Sequence, residues 1–334
     1  MIGIGVIGYG YWGPNLVRNF AEASGARVVS VSDSRAERLA LVNKRYPGVK
    51  TTTNADEVIN DPAVDAVVVA TPVATHYALV KQALQNNRHV LVTKPLTDAV
   101  AYAQELVELA EKKQRVLMLD HTFLYKGAVR TIKDMVRAGK LGDLYYYDSV
   151  RVNLGLFQHD VNVLWDLAVH DLSIMDYILG VQPREISAAG IAHVNGRPED
   201  IAYLTCFFEQ NLIAHLHVNW LAPVKVRKTL IGGSKQMIVY DDLELDAPLK
   251  IFDKGIDISS SEGIYQALVS YRTGDMWAPQ VDGREALANE AAHFIDCVTN
   301  SKRPLTDGES GVRMVRILEA ANESLAAHGR PVAI

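Results

Sequence analysis

Over the first third of the chain, short runs of Val, Ile and Leu alternate with amphipathic stretches. Residues 2–7, 28–32, 66–70, 90–92 and 116–119 are apolar, brief and bounded by turn formers. That is the pattern of strands buried on both faces. The segments between them predict helices. Asn54-Ala55-Asp56-Glu57 has the form of a capping box, and Val100, Ala103, Val107 and Ala110 lay an apolar stripe at helical spacing. Strands alternating with helices predict an α/β fold: a doubly wound parallel sheet with right-handed crossovers.

The pattern changes after Asp120. A helix is expected over 126–138, closed by Gly139, and longer β-like segments follow at 144–153, 186–193, 201–208, 212–220, 227–231 and 236–240. A run of neighbouring strands predicts an α+β domain with a mostly antiparallel or mixed sheet. Residues 249–279 have weak periodicity and read as loop with short elements. Two helices close the chain, one over 285–299 and one opened by Thr306-Asp307-Gly308-Glu309. The expected division is residues 1–120 and 121–334.

Composition narrows the partners. A formal net charge of −5 argues against nucleic acid, whose phosphates call for a basic surplus. Cys206 and Cys297 make no CxxC pair and read as reduced, buried thiols. The most apolar stretch, 64–80, is interrupted by Asp65, Thr71, Pro72, Thr75 and His76, so no membrane span is expected. No leader pattern precedes the first strand, and a cytoplasmic location is the expectation.

Gly8-Tyr9-Gly10-Tyr11-Trp12-Gly13 is GxGxxG placed between a predicted strand and a predicted helix. In that position Gly8 permits the tight turn, Gly10 lets the backbone approach a pyrophosphate, and Gly13 lets helix pack on strand. The helix N-terminus offers N–H groups to phosphate. Asp33, after the second strand, stands where a carboxylate meets ribose hydroxyls and disfavours a 2′-phosphate. NAD is therefore expected over NADP, with Arg35 and Arg38 as the residues that would favour NADP. Tyr11, Trp12, Ser34, Thr71, His76, Thr93 and Lys94 complete the expected cofactor set, because ligands of open α/β sheets lie beyond the carboxyl ends of the strands.

Lys94 follows a strand, before Pro95, and projects toward that crevice; a cis bond at Pro95 would aim it. In Trp165-Asp166-Leu167-Ala168-Val169-His170-Asp171, Asp166 and His170 stand four apart and share one helical face. Histidine can take a hydroxyl proton near neutral pH, and a carboxylate can orient it. Arg151, Asn153, Gln158, Asp160 and Asn162 precede this helix and are the substrate-binding candidates. No HExxH or cysteine partner accompanies them, so no metal site is expected.

The glycine turn, the TPxxxH segment Thr71–His76, Lys94-Pro95 and the WDxxxHD of Trp165–Asp171 come in the order of the Gfo/Idh/MocA oxidoreductases, which the whole chain resembles. The resemblance implies a Rossmann domain, then a domain whose open-faced sheet often forms an oligomer interface. A homodimer or homotetramer is expected. It also implies an active site of Lys94, Asp166 and His170. The family commonly has Glu-Lys-Pro; this chain has Thr93. Segments 10–20, 120–125 and 151–175 look most like nucleotide-sugar C3 dehydrogenases. Those form 3-keto sugars from UDP-N-acetylglucosamine or its uronic acid. Inositol dehydrogenases and 3-ketosugar reductases of the same family are the alternatives. A dinucleotide-binding regulator without chemistry is a further one, kept open by Thr93.

Overall fold

The parallel sheet is built from β1 (Ile2–Ile7), β2 (Ala26–Ser32), β3 (Lys50–Thr52), β4 (Ala66–Val69), β5 (His89–Thr93) and β6 (Leu117–Asp120). Between them run α1 (Gly13–Glu22), α2 (Ala36–Arg45), α3 (Ala55–Asn60), α4 (His76–Gln85) and α5 (Val100–Lys113). The strand order is β3-β2-β1-β4-β5-β6, all parallel, so the order reverses between β1 and β4. The central strands are buried along nearly their full length. That explains why they read as continuous apolar runs: helices cover both faces. The three-residue β3 carries Lys50, Thr51 and Thr52, and no apolar run announced it. This is a computed structural model, and it describes residues 1–155, 161–194, 198–209, 211–258, 269–272 and 274–334.

The second sheet follows α6 (Gly127–Arg137) and consists of β7 (Leu144–Leu154), β8 (Glu185–Ile191), β9 (Ile201–Phe207), β10 (Ile213–Asn219), β11 (Leu221–Gly233), β12 (Met237–Asp241), β13 (Leu249–Phe252), β16 (Met276–Trp277) and β17 (Val332–Ala333). Their order is β16-β13-β12-β11-β7-β10-β9-β8-β17. Only β7 and β10 pair in parallel within it. β14 (Gly255–Ile258) and β15 (Val269–Arg272) pair antiparallel as a separate two-stranded sheet, so the weakly periodic stretch does hold short strands. α7 (Val169–Leu179) lies between β7 and β8 in sequence.

Alternation along β9 and β10 is strict. Ala202, Leu204, Cys206, Ala214, Leu216 and Val218 are buried, while Tyr203, Thr205, His215 and His217 face the other way and stay accessible. The sheet therefore buries one face and leaves the other open. On the open face Tyr203 stacks on His217 at 4.6 Å between ring centroids, and His215 Nδ1 lies 3.4 Å from Asp148.

Two compact units result, and neither is continuous along the chain. The first is Met1–Tyr125 with Arg284–Arg316, the second Lys126–Gly283 with Ile317–Ile334. Helix α8 (Ala286–Asn300) returns to the first unit; Phe294 packs edge-on against Phe20 of α1 at 6.0 Å. Thr306 straps the edge strand β6, donating from its hydroxyl to Leu119 O at 2.6 Å and accepting from Leu119 N at 2.8 Å. This covers an edge that would otherwise present unpaired backbone groups. The division falls within the last helix, α9 (Gly308–Ala326).

Candidate active site

The glycine turn leaves β1 at its carboxyl end. Gly8 has φ +99°, and a Cβ there would lie 2.3 Å from Ala70 O. A Cβ on Gly13 would lie 2.2 Å from Gly8 O, so helix and turn approach as closely as only glycine permits. Above Gly10 the nearest group is the Arg35 guanidinium at 3.6 Å, which leaves the backbone open to a ligand. Helix α1 has no side-chain cap, and Pro14 occupies its first turn. In that first turn Asn15 N and Leu16 N both donate to Trp12 O, at 2.9 and 3.4 Å. The turn fits a dinucleotide.

Asp33 is buried, 7% exposed, and held from both sides. Its carboxylate accepts from Tyr9 N at 2.8 Å, Arg35 N at 3.0 Å and Arg35 Nε at 3.1 Å. Burial by itself would raise its pKa; the Arg35 side chain and the two backbone N–H groups outweigh burial and hold it below the usual carboxylate range. Asp33 is thus an anion presented beside the glycine turn, with Arg35 as its partner. Ser34 is exposed next to it, and Tyr11 is 85% exposed.

The turns after β4 and β5 are tied together by His76. Its Nδ1 lies 2.8 Å from Pro95 O and its Nε2 2.8 Å from Thr71 O, with Thr93 Oγ1 at 3.5 Å. The ring is 1% exposed. Burial foremost lowers its pKa, against the two carbonyl contacts that raise it, so the neutral ring donates to one carbonyl at a time. In the structure His76 is a brace between two turns. Thr71 and Thr75 share a hydroxyl bond of 2.7 Å, and Thr93 and Lys94 are half-buried at the end of β5. The Lys94–Pro95 bond is cis.

Asp120 ends β6 and accepts from the Trp12 indole N–H and from the Thr122 hydroxyl, the latter at 2.5 Å. Glu290 of α8 is fully buried beside it. Burial foremost, and the Asp120 carboxylate next, push the Glu290 carboxyl well above the usual range. The sequence reading passed over Glu290, because its burial follows from the return of α8.

In the second unit α7 is preceded by a π-turn, Leu164–Ala168. Such wide turns inside helices mark functional sites. From Asn162 to Met175 every side chain is buried except Asp166, Leu167 and His170, which are half-exposed. Asp166 and His170 thus share the accessible strip of a buried helix, as their spacing predicts. The Trp220 indole, itself buried, donates to Asp166 Oδ2 at 3.0 Å and fixes that carboxylate.

Two of the substrate candidates are buried and engaged within the protein. Arg151 is 3% exposed and clamps Asp171 with both prongs, Nε at 2.9 Å and Nη2 at 2.8 Å. It anchors α7 to β7. Asn162 is 8% exposed; its Oδ1 accepts from Leu164 N and Trp165 N at 3.1 and 3.3 Å, capping the helix, while its Nδ2 donates to Asn322 at 2.9 Å. Asn153 is half-buried near the end of β7, and Gln158 and Asp160 lie outside the described residues. Among the described residues no group of His, Cys, Asp and Glu could hold a metal ion, and no helix is long and apolar enough to cross a membrane.

The sequence reading also missed a charged cluster on β11 and β12. Asp242, after β12, accepts from the Tyr240 hydroxyl at 2.8 Å, lies 3.3 Å from Arg227 Nη1 and bonds the Lys126 ammonium. These residues are up to 116 positions apart, and no local motif links them.

Comparison with known proteins accords with this architecture. Residues 2–121 match the profile described as "Oxidoreductase family, NAD-binding Rossmann fold", and residues 129–239 that of the "GFO/IDH/MocA C-terminal domain". The chain is 27% identical to a UDP-N-acetylglucosamine 3-dehydrogenase from Acidithiobacillus ferrooxidans over 93% of each protein. It is 24% identical to an NAD-dependent scyllo-inositol 2-dehydrogenase from Bacillus subtilis, over 96% of this chain and 92% of that one. A solved structure of UDP-N-acetylglucosamine 3-dehydrogenase from A. ferrooxidans superposes with a TM-score of 0.81 at 25% identity, covering 98% of this chain and 99% of the other. The chain belongs to the Gfo/Idh/MocA family, and it is an oxidoreductase with an NAD-binding Rossmann domain.

Proposed function

We propose that the enzyme oxidises the C3 hydroxyl of a UDP-N-acetylhexosamine to a 3-keto sugar, with NAD as acceptor. The observation that carries this reading is the half-exposed pair Asp166 and His170 on a π-turned, largely buried helix, with Asp166 pinned by Trp220. The bound nicotinamide supplies the hydride acceptor. In this reading Gly8, Gly10 and Gly13 bring backbone to the pyrophosphate, and Asp33 takes the ribose hydroxyls. His170 accepts the proton of the C3 hydroxyl, Asp166 orients the imidazole or a neighbouring hydroxyl, and Lys94 polarises the C3 oxygen, which stays on the sugar as the carbonyl. Thr93, in place of the family's glutamate, leaves these three roles filled. NAD is preferred to NADP because Asp33 repels a 2′-phosphate; Arg35, which pairs with Asp33, is the group a 2′-phosphate would recruit.

Inositol oxidation is the second reading, favoured by the similarity to the B. subtilis scyllo-inositol enzyme. Incubating the protein with NAD and UDP-N-acetylglucosamine, or with inositols, and following NADH absorbance separates them. NADH formed from the nucleotide sugar and not from inositol is the expected result; the reverse pattern overturns the C3 reading. We further propose that the open sheet face pairs with a second copy of the chain in a homodimer or homotetramer.

A further inference from the structure

Arg227 of β11 stands directly opposite Arg151 of β7 in the antiparallel register. Like charges so placed repel unless anions intervene. Arg151 is met by Asp171, and Arg227 shares Asp242 with Lys126 and the Tyr240 hydroxyl. Lys225, two positions before Arg227, adds another cation, and among the described residues it forms no ion pair. Its pKa is lowered, by the Arg227 guanidinium first and by burial second. The backbone delivers Lys225 here by an irregularity: the β7–β11 register shifts between Leu221 and Val226. Such bulges re-aim side chains beside active sites. Arg151, opposite Arg227, ties this part of the sheet to α7 through Asp171. Trp220, which holds Asp166, immediately precedes β11, and Asp171, which holds Arg151, immediately follows His170.

We infer that Lys225 and Arg227, backed by Lys126, form an anion subsite of the second unit that takes the diphosphate of a nucleotide-linked substrate. This rests on the proposed C3 reading and deepens it. A guanidinium fork matches two phosphate oxygens, and an ammonium adds a mobile point charge. Neutral inositols have nothing for it to hold.

Pyrophosphate is the probe, added to the full chain with NAD, and its binding is read as a thermal shift and by titration calorimetry. Wild type should be stabilised. K225Q, which breaks no ion pair, and R227K, which keeps Asp242 paired, should each weaken pyrophosphate binding by about tenfold, and raise KM for UDP-N-acetylglucosamine to match. K302Q is the control. Lys302 belongs to the first unit and pairs with Asp296 at 2.9 Å, so the variant should bind pyrophosphate like wild type. No stabilisation of wild type, or unchanged binding in K225Q and R227K, overturns the subsite. Glucuronate bound through Lys225 with pyrophosphate ignored overturns the diphosphate assignment. Pyrophosphate bound through these residues without turnover of any UDP-sugar sinks the C3 reading and leaves the subsite standing. Turnover with an unaltered KM in both variants does the opposite.

Discussion

The two units hold their functional groups by different means. In the first, the backbone forms the site: Gly8 at positive φ, Gly13 against Gly8 O, and open backbone at Gly10. The determinants are neighbours in sequence. In the second, side chains from distant strands and a helix form it: Arg151 with Asp171, Trp220 with Asp166, and Lys126 and Arg227 on Asp242. A sheet buried on both faces needs only apolar strands and short turns. A sheet covered on one face must anchor its helix laterally, and here an ion pair does so. A backbone site can therefore be read as a motif, whereas a side-chain site appears only once the strands are aligned.

The sharpest break in this comparison is chemical. His170→Asn and Lys94→Ala should each lower kcat by roughly 10²- to 10⁴-fold. Far-ultraviolet dichroism and NAD binding by calorimetry should stay close to wild type for His170→Asn. Turnover near normal in both variants would remove the catalytic assignment from the second unit and from the β5 turn together.

Next in size is the anchor of α7. Asp171→Ala strands Arg151 in a site where both partners are buried and should cost about 3–5 kcal/mol in a denaturant titration. If the loss is under about 1 kcal/mol, the pair behaves like an exposed one and the contrast between the units weakens.

The first unit has its own buried charge problem, with a pH signature. The Glu290 pKa is raised in the fold, so above the ordinary glutamate value of about 4.3 the folded chain binds one more proton than the unfolded chain. Stability should then fall as pH rises, by about 1.4 kcal/mol per unit, until the folded pKa is passed. Glu290→Gln keeps the neutral shape and should flatten that slope. A slope unchanged in Glu290→Gln would place the proton uptake elsewhere.

The smallest effect concerns the cofactor. Arg35→Ala removes the partner of Asp33 and should weaken NADP relative to NAD by several-fold, about 1 kcal/mol, in the ratio of kcat/KM values. An unchanged ratio would leave Arg35 without a part in the choice. Asp33 loses its bond from Arg35 Nε in that variant, so its pKa should move up toward the ordinary range, visible in the acid limb of NAD affinity.

Hydrophobic periodicity and glycine spacing, both local properties, carry the doubly wound sheet, the dinucleotide turn and the shared face of Asp166 and His170. Each depends on residues within a turn or a strand of one another, where sterics alone decide the conformation. Burial is not local. Only the folded chain turns His76 into a brace, makes Arg151 and Asn162 structural, brings α8 and the buried Glu290 beside Asp120, and sets Arg227 opposite Arg151. Those outcomes depend on which distant strands pair and in what register, and a side chain's accessibility is set by neighbours that the sequence places far away.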